Sequence, residues 1–454
     1  MYSPSDLTIE KAIKLLDDKA ITHRDLIEQY LNRIYEVEPS VRAFSYIKEK
    51  KDVIKSLSNN VKNNNNKSPL LGIPYRLKDI IHVKDLPLEA GSKTMEGYIS
   101  DKNATIFNRL NTAGAVLIGK TTTAEFASGG GAPKTRNPWN LEHTPGGSSS
   151  GFAAAISSNM LLFSIGTQTS GSVLRPASYN GITALKPTFG QISKAGIIPA
   201  SWSIDCVGIF TKNVRDLKYV YNEIAGYDIL DRYTYPYQNI TLKLSEGNLL
   251  KKFTIGIISD SYFKGSEDVM AIFEDAIKAL KIENHSAHNC KMPASFEEAN
   301  KAHEIVVNAE TAAYHQLKFN EGKELFSTEL RADIEVGSSY AAIDYLQAQE
   351  NRWEYKKSFK SIFENFDLLI TPATTETAPK GIEKTGSPKF NKPFSNAGLP
   401  TLTLSIGTSS LTNLPVGIQI ITNFDCEQNL IDLGEQLQII FDYTHFTCDL
   451  DLSS

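Results

Sequence analysis

Cysteine is scarce in this chain of 454 residues: Cys206, Cys290, Cys426 and Cys448 are the only four, and they lie far apart in sequence. Thiols so placed make no disulfide framework, which excludes the small disulfide-stapled classes and makes a reducing cytoplasm the expected compartment. Long apolar runs are missing too. A bilayer-spanning helix needs roughly 18 or more apolar residues in succession, and the run from Met160 to Ile165 breaks well short of that, so no membrane role is expected. The N-terminal MYSPSDLTIEKAI has no basic segment followed by an apolar one, so no signal peptide is expected either. Nor is one sign of charge in large excess: 47 Lys and Arg stand against 52 Asp and Glu, a net of −5, with no long basic block. That excludes a chain whose main task is to neutralise phosphates on nucleic acid or an anionic membrane.

What is present is an ordinary globular composition, 41% hydrophobic and 22% charged, able to bury a large core. At roughly 150 residues per domain the length alone suggests about three domains. The pattern argues for fewer. Ile9, Ala12, Ile13 and Leu16 recur at helical spacing, and a second helix starts at Thr22, capped with Asp25, with Ile27, Tyr30, Leu31 and Ile34 as its apolar stripe. The Asn-rich run from Val61 to Pro69 reads as a solvated loop. From Leu70 to about Leu217 small residues cluster between short apolar runs, as they do where loops hold a site on a rigid sheet. Beyond it FTIGIIS reads as a strand, and Val269, Ile272, Phe273, Ala276, Ile277 and Leu280 as one helical face. Residues from about 295 to 365 read as polar helix; LLITPA, LTLSIG and VGIQII are strand candidates before a final helix near Cys426. Strands from both ends look equally buried, which suggests one sheet.

Three motif matches fail on context. Gly114 to Thr121, GAVLIGKT, fits the P-loop of NTPases, G-x-x-x-x-G-K-[ST]. Its middle residues Ala115, Val116, Leu117 and Ile118 are strand formers rather than a phosphate-cradling loop, and the preceding Ile106, Leu110 and Ala113 read as helix, so a buried strand ending at Gly119 is expected. Gly147 to Gly151, GSSSG, fits the nucleophile elbow with Ser149 at its centre, and His285, His288, His303, His315 and His445 follow as conceivable bases. An elbow leaves a buried strand, but RNPWNLEHTPG precedes this one and reads as a loop, in which His143 is expected to be solvated. His285, His288 and Cys290 have spacing that could begin a zinc site; no partner cluster supplies further ligands, and the segment reads as an exposed connection.

Three segments carry chemistry: GIPYRLKDI around Lys78, TPGGSSSGFAAA around Ser148 and GTQTSGSVLRPA around Ser172. Gly166, Gly171 and the small residues between them let successive backbone N–H groups turn toward one point, as in a main-chain oxyanion hole, and a serine at the end of such a turn can attack a carbonyl. It then needs a base. Lys78, amid Ile73, Leu77, Ile80 and Ile81, would serve if burial lowers its pKa; the other reading pairs it with Asp79 on a surface turn. The local sequence leaves both open.

Together these segments resemble the amidase signature family, the Ser-Ser-Lys hydrolases, and the resemblance runs through AGSKT, GAVLIGKTTTAEFA, TRNPWN, GITALKPTFG, SIDCVGIFTKNVRDL, AGLPTLTLSIG and LPVGIQII in order. The GKT of the apparent P-loop falls inside one of these. The resemblance implies Lys78 as catalytic lysine, Ser148 as bridging serine on a cis peptide, Ser172, 24 residues later, as nucleophile, and Thr169, Ser170 and Gly171 with Ser172 as oxyanion-hole donors. It implies a single α/β/α domain over 1–454 around one large mixed sheet: N-terminal helices in 1–60, the signature core in 70–217, a variable helical segment at about 295–365, and C-terminal strands and a helix in 366–454. It further implies hydrolysis of a linear carboxylic amide to an acid plus ammonia or amine, with a small-molecule amide as partner and no metal or organic cofactor. Many members have Asp where this chain has Gln168, Gly where it has Ser170, and Arg where it has Leu174, with Arg175 one place later. GSPKFNKPFSNAGLP resembles the generic amidase branch more than the glutaminase component of the tRNA-dependent amidotransferase, which is the alternative; an NTPase is the reading from another class. Substrate identity and a homo-oligomeric state are not fixed by the sequence.

Overall fold

Eleven strands pair into one sheet in the computed structural model, which describes residues 2–63, 68–128, 131–236, 241–243, 251–442, 448 and 450. They are β1 (Phe44–Ile47), β2 (Pro74–Lys78), β3 (Val116–Thr121), β4 (Phe163–Gln168), β5 (Thr183–Lys186), β6 (Cys206–Thr211), β7 (Thr254–Ile258), β8 (Ser286–Cys290), β9 (Leu368–Pro372), β10 (Thr401–Thr408) and β11 (Pro415–Thr422). Their order is β1-β3-β2-β4-β6-β5-β10-β11-β9-β7-β8, with parallel and antiparallel pairs mixed. The strands near the C-terminus join those of the first half at β5 and β10, where Lys186 lies opposite Thr401. The expected α/β fold around one large mixed sheet is what forms.

The helices are α1 (Ile9–Asp17), α2 (His23–Val41), α3 (Lys50–Asn63), α4 (Thr105–Thr112), α5 (Ser150–Ser157), α6 (Leu174–Tyr179), α7 (Val214–Ile224), α8 (Glu267–Ile282), α9 (Phe296–Gly322), α10 (Thr328–Ser339), α11 (Ala342–Phe363), α12 (Lys392–Ala397) and α13 (Glu427–Ile440). They cover both faces of the sheet because strand side chains alternate. Leu117, Leu185, Val207 and Ile209 meet the apolar sides of α1, α4, α7, α8 and α13; Val116, Ile118, Ala184 and Phe210 meet those of α2, α3, α5 and α6. The capping box expected at Thr22 is present: its Oγ1 accepts from the Asp25 N–H at 3.1 Å, and Asp25 Oδ2 accepts from the Thr22 N–H at 2.9 Å.

Three expectations need correction. The Asn-rich run is not all loop, because α3 continues to Asn63; Val53 and Leu57 dock on the core beside β3, and Asn60 donates to the Ala115 carbonyl at 2.9 Å. Asn64–Lys67 lie outside the described residues. The strand in GAVLIGKT does not stop at Gly119 but runs on to Thr121, buried throughout, since β1 and β2 flank it. The His285–Cys290 segment is not a connection: Ser286–Cys290 is an edge strand, parallel to β7. Its polar side chains suit an edge strand that must not recruit another chain.

Candidate active site

β2 runs parallel to both its neighbours, with Leu77 beside Ile165 of β4 and Lys78 beside Thr121 of β3. The carboxyl ends of β2 and β4 therefore emerge side by side, which is where open α/β sheets carry their sites. Lys78 is the last residue of β2 and is fully buried. Its Nζ lies 2.8 Å from Ser148 Oγ and 3.2 Å from Thr167 Oγ1. Burial takes the ammonium out of water and pushes its pKa from 10.5 down to about 7, against the opposing pull of the Asp205 charge. The surface-turn pairing with Asp79 does not form; Asp79 Oδ1 instead faces Lys120 Nζ at 3.7 Å.

Ser148 follows a cis peptide bond from Gly147 and is buried. The loop from Asn137 to Pro145 leads into it, and α5 starts at Ser150, so no buried strand delivers Ser149 as an elbow would require. Ser149 Oγ donates to the Thr167 carbonyl at 3.4 Å. His143 is half-buried rather than solvated, because its Nδ1 pairs with the Ala378 carbonyl at 2.7 Å.

Ser172 sits in the turn from β4 to α6, where it keeps only 8% of its exposure. Side chains anchor this turn on several sides. Gln168 Oε1 accepts from the N–H groups of Val173 at 2.8 Å and Leu174 at 2.9 Å, satisfying donors that a helix start leaves unpaired, while its Nε2 donates to Ser395 Oγ at 2.8 Å. Ser395 Oγ in turn donates to the Ser170 carbonyl at 2.9 Å. Thr169 Oγ1 donates to Asp205 Oδ1 at 2.5 Å, and Asp205 Oδ2 accepts from the N–H groups of Ala200 and Ser201. Arg175 bonds the Gly147 carbonyl with one nitrogen and the Gly386 carbonyl with another, so the Ser172 turn is tied to the Ser148 turn. A Cβ on Gly171 would approach Asn391 Oδ1 to 2.8 Å, which leaves glycine the residue that fits there.

All six residues singled out in the sequence, Lys78, Ser148, Thr169, Ser170, Gly171 and Ser172, thus lie on turns and strand ends that are bonded to one another. Asp205, Thr167 and Ser395 complete the frame without having been assigned a part from sequence, although all three lie within segments that carry the resemblance. The zinc-like trio does not converge: His285 pairs with the Phe253 N–H and Gln436, His288 with Ser286, and Cys290 with the Lys291 carbonyl. No group of three or more His, Cys, Asp or Glu side chains among the described residues is arranged for a metal. Of the other histidines, His315 packs on Phe126, His303 reaches Ser170, and His445 lies outside the described residues.

Comparison with known proteins gives the family and the fold. Residues 25–431 match the amidase family. An A-type component of glutamyl-tRNA(Gln) amidotransferase from Clostridium acetobutylicum is 32% identical over 461 residues, 92% of this chain and 94% of that protein. The structure of peptide amidase PAM with the competitive inhibitor chymostatin is 26% identical, with a TM-score of 0.82 over 96% of this chain and 97% of that one. That of 6-aminohexanoate cyclic dimer hydrolase has a TM-score of 0.87 over 99% of this chain and 100% of the other; at 22% identity the likeness is one of fold. A match over nearly the whole chain makes this protein a member of the amidase family.

Proposed function

We propose that this protein hydrolyses a linear carboxylic amide to a carboxylate plus ammonia or an amine, through an acyl-enzyme on Ser172. The observation that carries the reading is the buried Lys78, brought to about 7 and hydrogen-bonded to Ser148. A lysine so placed is in large part neutral near physiological pH, and that fraction has a lone pair to accept a proton. Ser172 Oγ attacks the amide carbon while passing its proton to Ser148 Oγ, which passes its own to Lys78 Nζ. The carbonyl oxygen gathers negative charge, and the N–H groups of Thr169, Ser170, Gly171 and Ser172 stabilise it there. When the C–N bond breaks, the proton returns along the relay to the leaving nitrogen. Water then repeats the cycle on the ester, releasing the acid and restoring Ser172.

The test is a panel of aliphatic, aryl and amino-acid amides assayed for released ammonia or amine. Turnover of at least one amide by the wild type, lost in Ser172→Ala, supports the proposal; equal turnover by wild type and Ser172→Ala overturns it. A second reading makes the chain the glutaminase component of a tRNA-dependent amidotransferase, and the near full-length similarity to the Clostridium acetobutylicum protein favours it. Glutamine hydrolysis that appears only with a co-purifying partner would select that reading over a free-standing amidase.

A further inference from the structure

Ser170 stands where many family members have glycine, and its side chain is engaged. Its Oγ lies 2.9 Å from Nε2 of His303, a residue of α9 that is 2% exposed. The backbone of Ser170 is meanwhile held through its carbonyl by Ser395 and, one residue earlier, through Thr169 by Asp205. These last two anchors come from the segments beside β6 and β10. The His303 contact is different, because it comes from the long helical segment formed by α9, α10 and α11. That segment packs on the site through a buried polar network: Glu310 of α9 accepts from Ser201 and Ser203, Thr311 donates to the Ala200 carbonyl, and Arg352 of α11 donates to Asn396 and Ser203. α9 therefore cannot shift without disturbing the same 200–205 segment that orients Thr169.

We propose that His303 is a positioning residue: through the Ser170 hydroxyl it fixes the peptide whose N–H groups receive the developing oxyanion, and so couples α9 to transition-state stabilisation. The proposal rests on Ser172 being the nucleophile. Burial, with the Lys392 and Arg352 charges nearby, holds His303 down at about 3, so the imidazole stays neutral across the working range and the contact is a neutral hydrogen bond. A group that acts on the oxyanion loop alone should alter the step in which charge develops and leave ground-state binding as it was.

The experiment follows a fluorophosphonate reacting with the serine nucleophile, because its phosphoryl oxygen must enter the oxyanion hole and no natural substrate is needed. Rate constant kinact and affinity KI are measured for wild type, His303→Ala, Ser170→Ala and the double variant, with near-UV circular dichroism to establish that each is folded. We expect kinact to fall about tenfold in each single variant with KI unchanged, and the double variant to be no slower than either single one. Losses that multiply in the double variant, a change confined to KI, or an unchanged kinact in either single variant would overturn the proposal. If His303→Ala does not fold, Ser170→Ala carries the same expectation and the same refutation. Absence of any adduct on wild-type Ser172 would instead bring down the underlying nucleophile assignment, which keeps the two failures apart.

Discussion

Lys78 acquires its chemistry from where its strand ends. The flanking Ile73, Leu77, Ile80 and Ile81 are all buried, as their apolar character suggests, yet the same sequence is equally compatible with a surface turn. What decides between the two is β3 and β4, which close over β2 from positions some 40 and 90 residues away and leave Lys78 no water. Such a group cannot be replaced by a permanent cation. Lys78→Arg should lower turnover as far as Lys78→Ala, by about 10²–10⁴-fold with KM little changed, because a guanidinium has no lone pair to offer at neutral pH. Steady-state kinetics on any amide that the wild type turns over check this, and substantial activity in Lys78→Arg would contradict the base role. Ser170 and His303 mark the opposite limit of legibility. They lie 133 residues apart, and nothing in the local sequence of either announces the other.

At the scale of elements, patterns of period and capping are readable in the sequence, and geometry created by distant neighbours is not. The apparent P-loop shows both. Its apolar middle marks a strand, and its residues have structural work to do: a Cβ on Gly119 would run into the Tyr46 carbonyl where β1 pairs with β3, and Lys120 Nζ donates to the Ile81 carbonyl at 2.9 Å. No phosphate is needed to account for either. β8 escapes a reading by pattern because an edge strand with only one partner carries polar residues and loses the apolar run that marks a central one. Gln168 is the element-scale keystone of the site, since its single oxygen satisfies two N–H groups at the start of the six-residue α6. Gln168→Ala should cost about 1–3 kcal/mol of unfolding free energy by leaving those buried donors unpaired. Urea denaturation measures the cost; an unchanged midpoint would show that the turn holds without it.

The whole molecule is organised by the sheet order. β9, β10 and β11 come from beyond residue 365, yet they lie between β5 on one side and β7 with β8 on the other. The last part of the chain thus bridges the rest, which is why we propose one domain over the full length in place of the three that length alone suggests. Trp139, Trp202 and Trp353 report from well-separated parts of the chain. Tryptophan fluorescence and far-UV circular dichroism should therefore follow one coincident urea transition, whereas two separated transitions would mean independent domains. At this scale a single sheet is legible, because strand candidates at both ends look equally buried, while the α/β fold class comes from the resemblance. Strand order is not legible, because no local pattern encodes it.

The central claim is that Ser172 is a nucleophile activated by a neutral, buried lysine. Its most direct test is peptide mapping of the fluorophosphonate adduct combined with the pH dependence of the labelling rate. The account predicts an adduct on Ser172, formed slowly below pH 7 where Lys78 is protonated and faster as the pH rises through about 7 and the amine becomes free. An adduct on Ser149, or a rate on Ser172 that stays flat across that range, would contradict it.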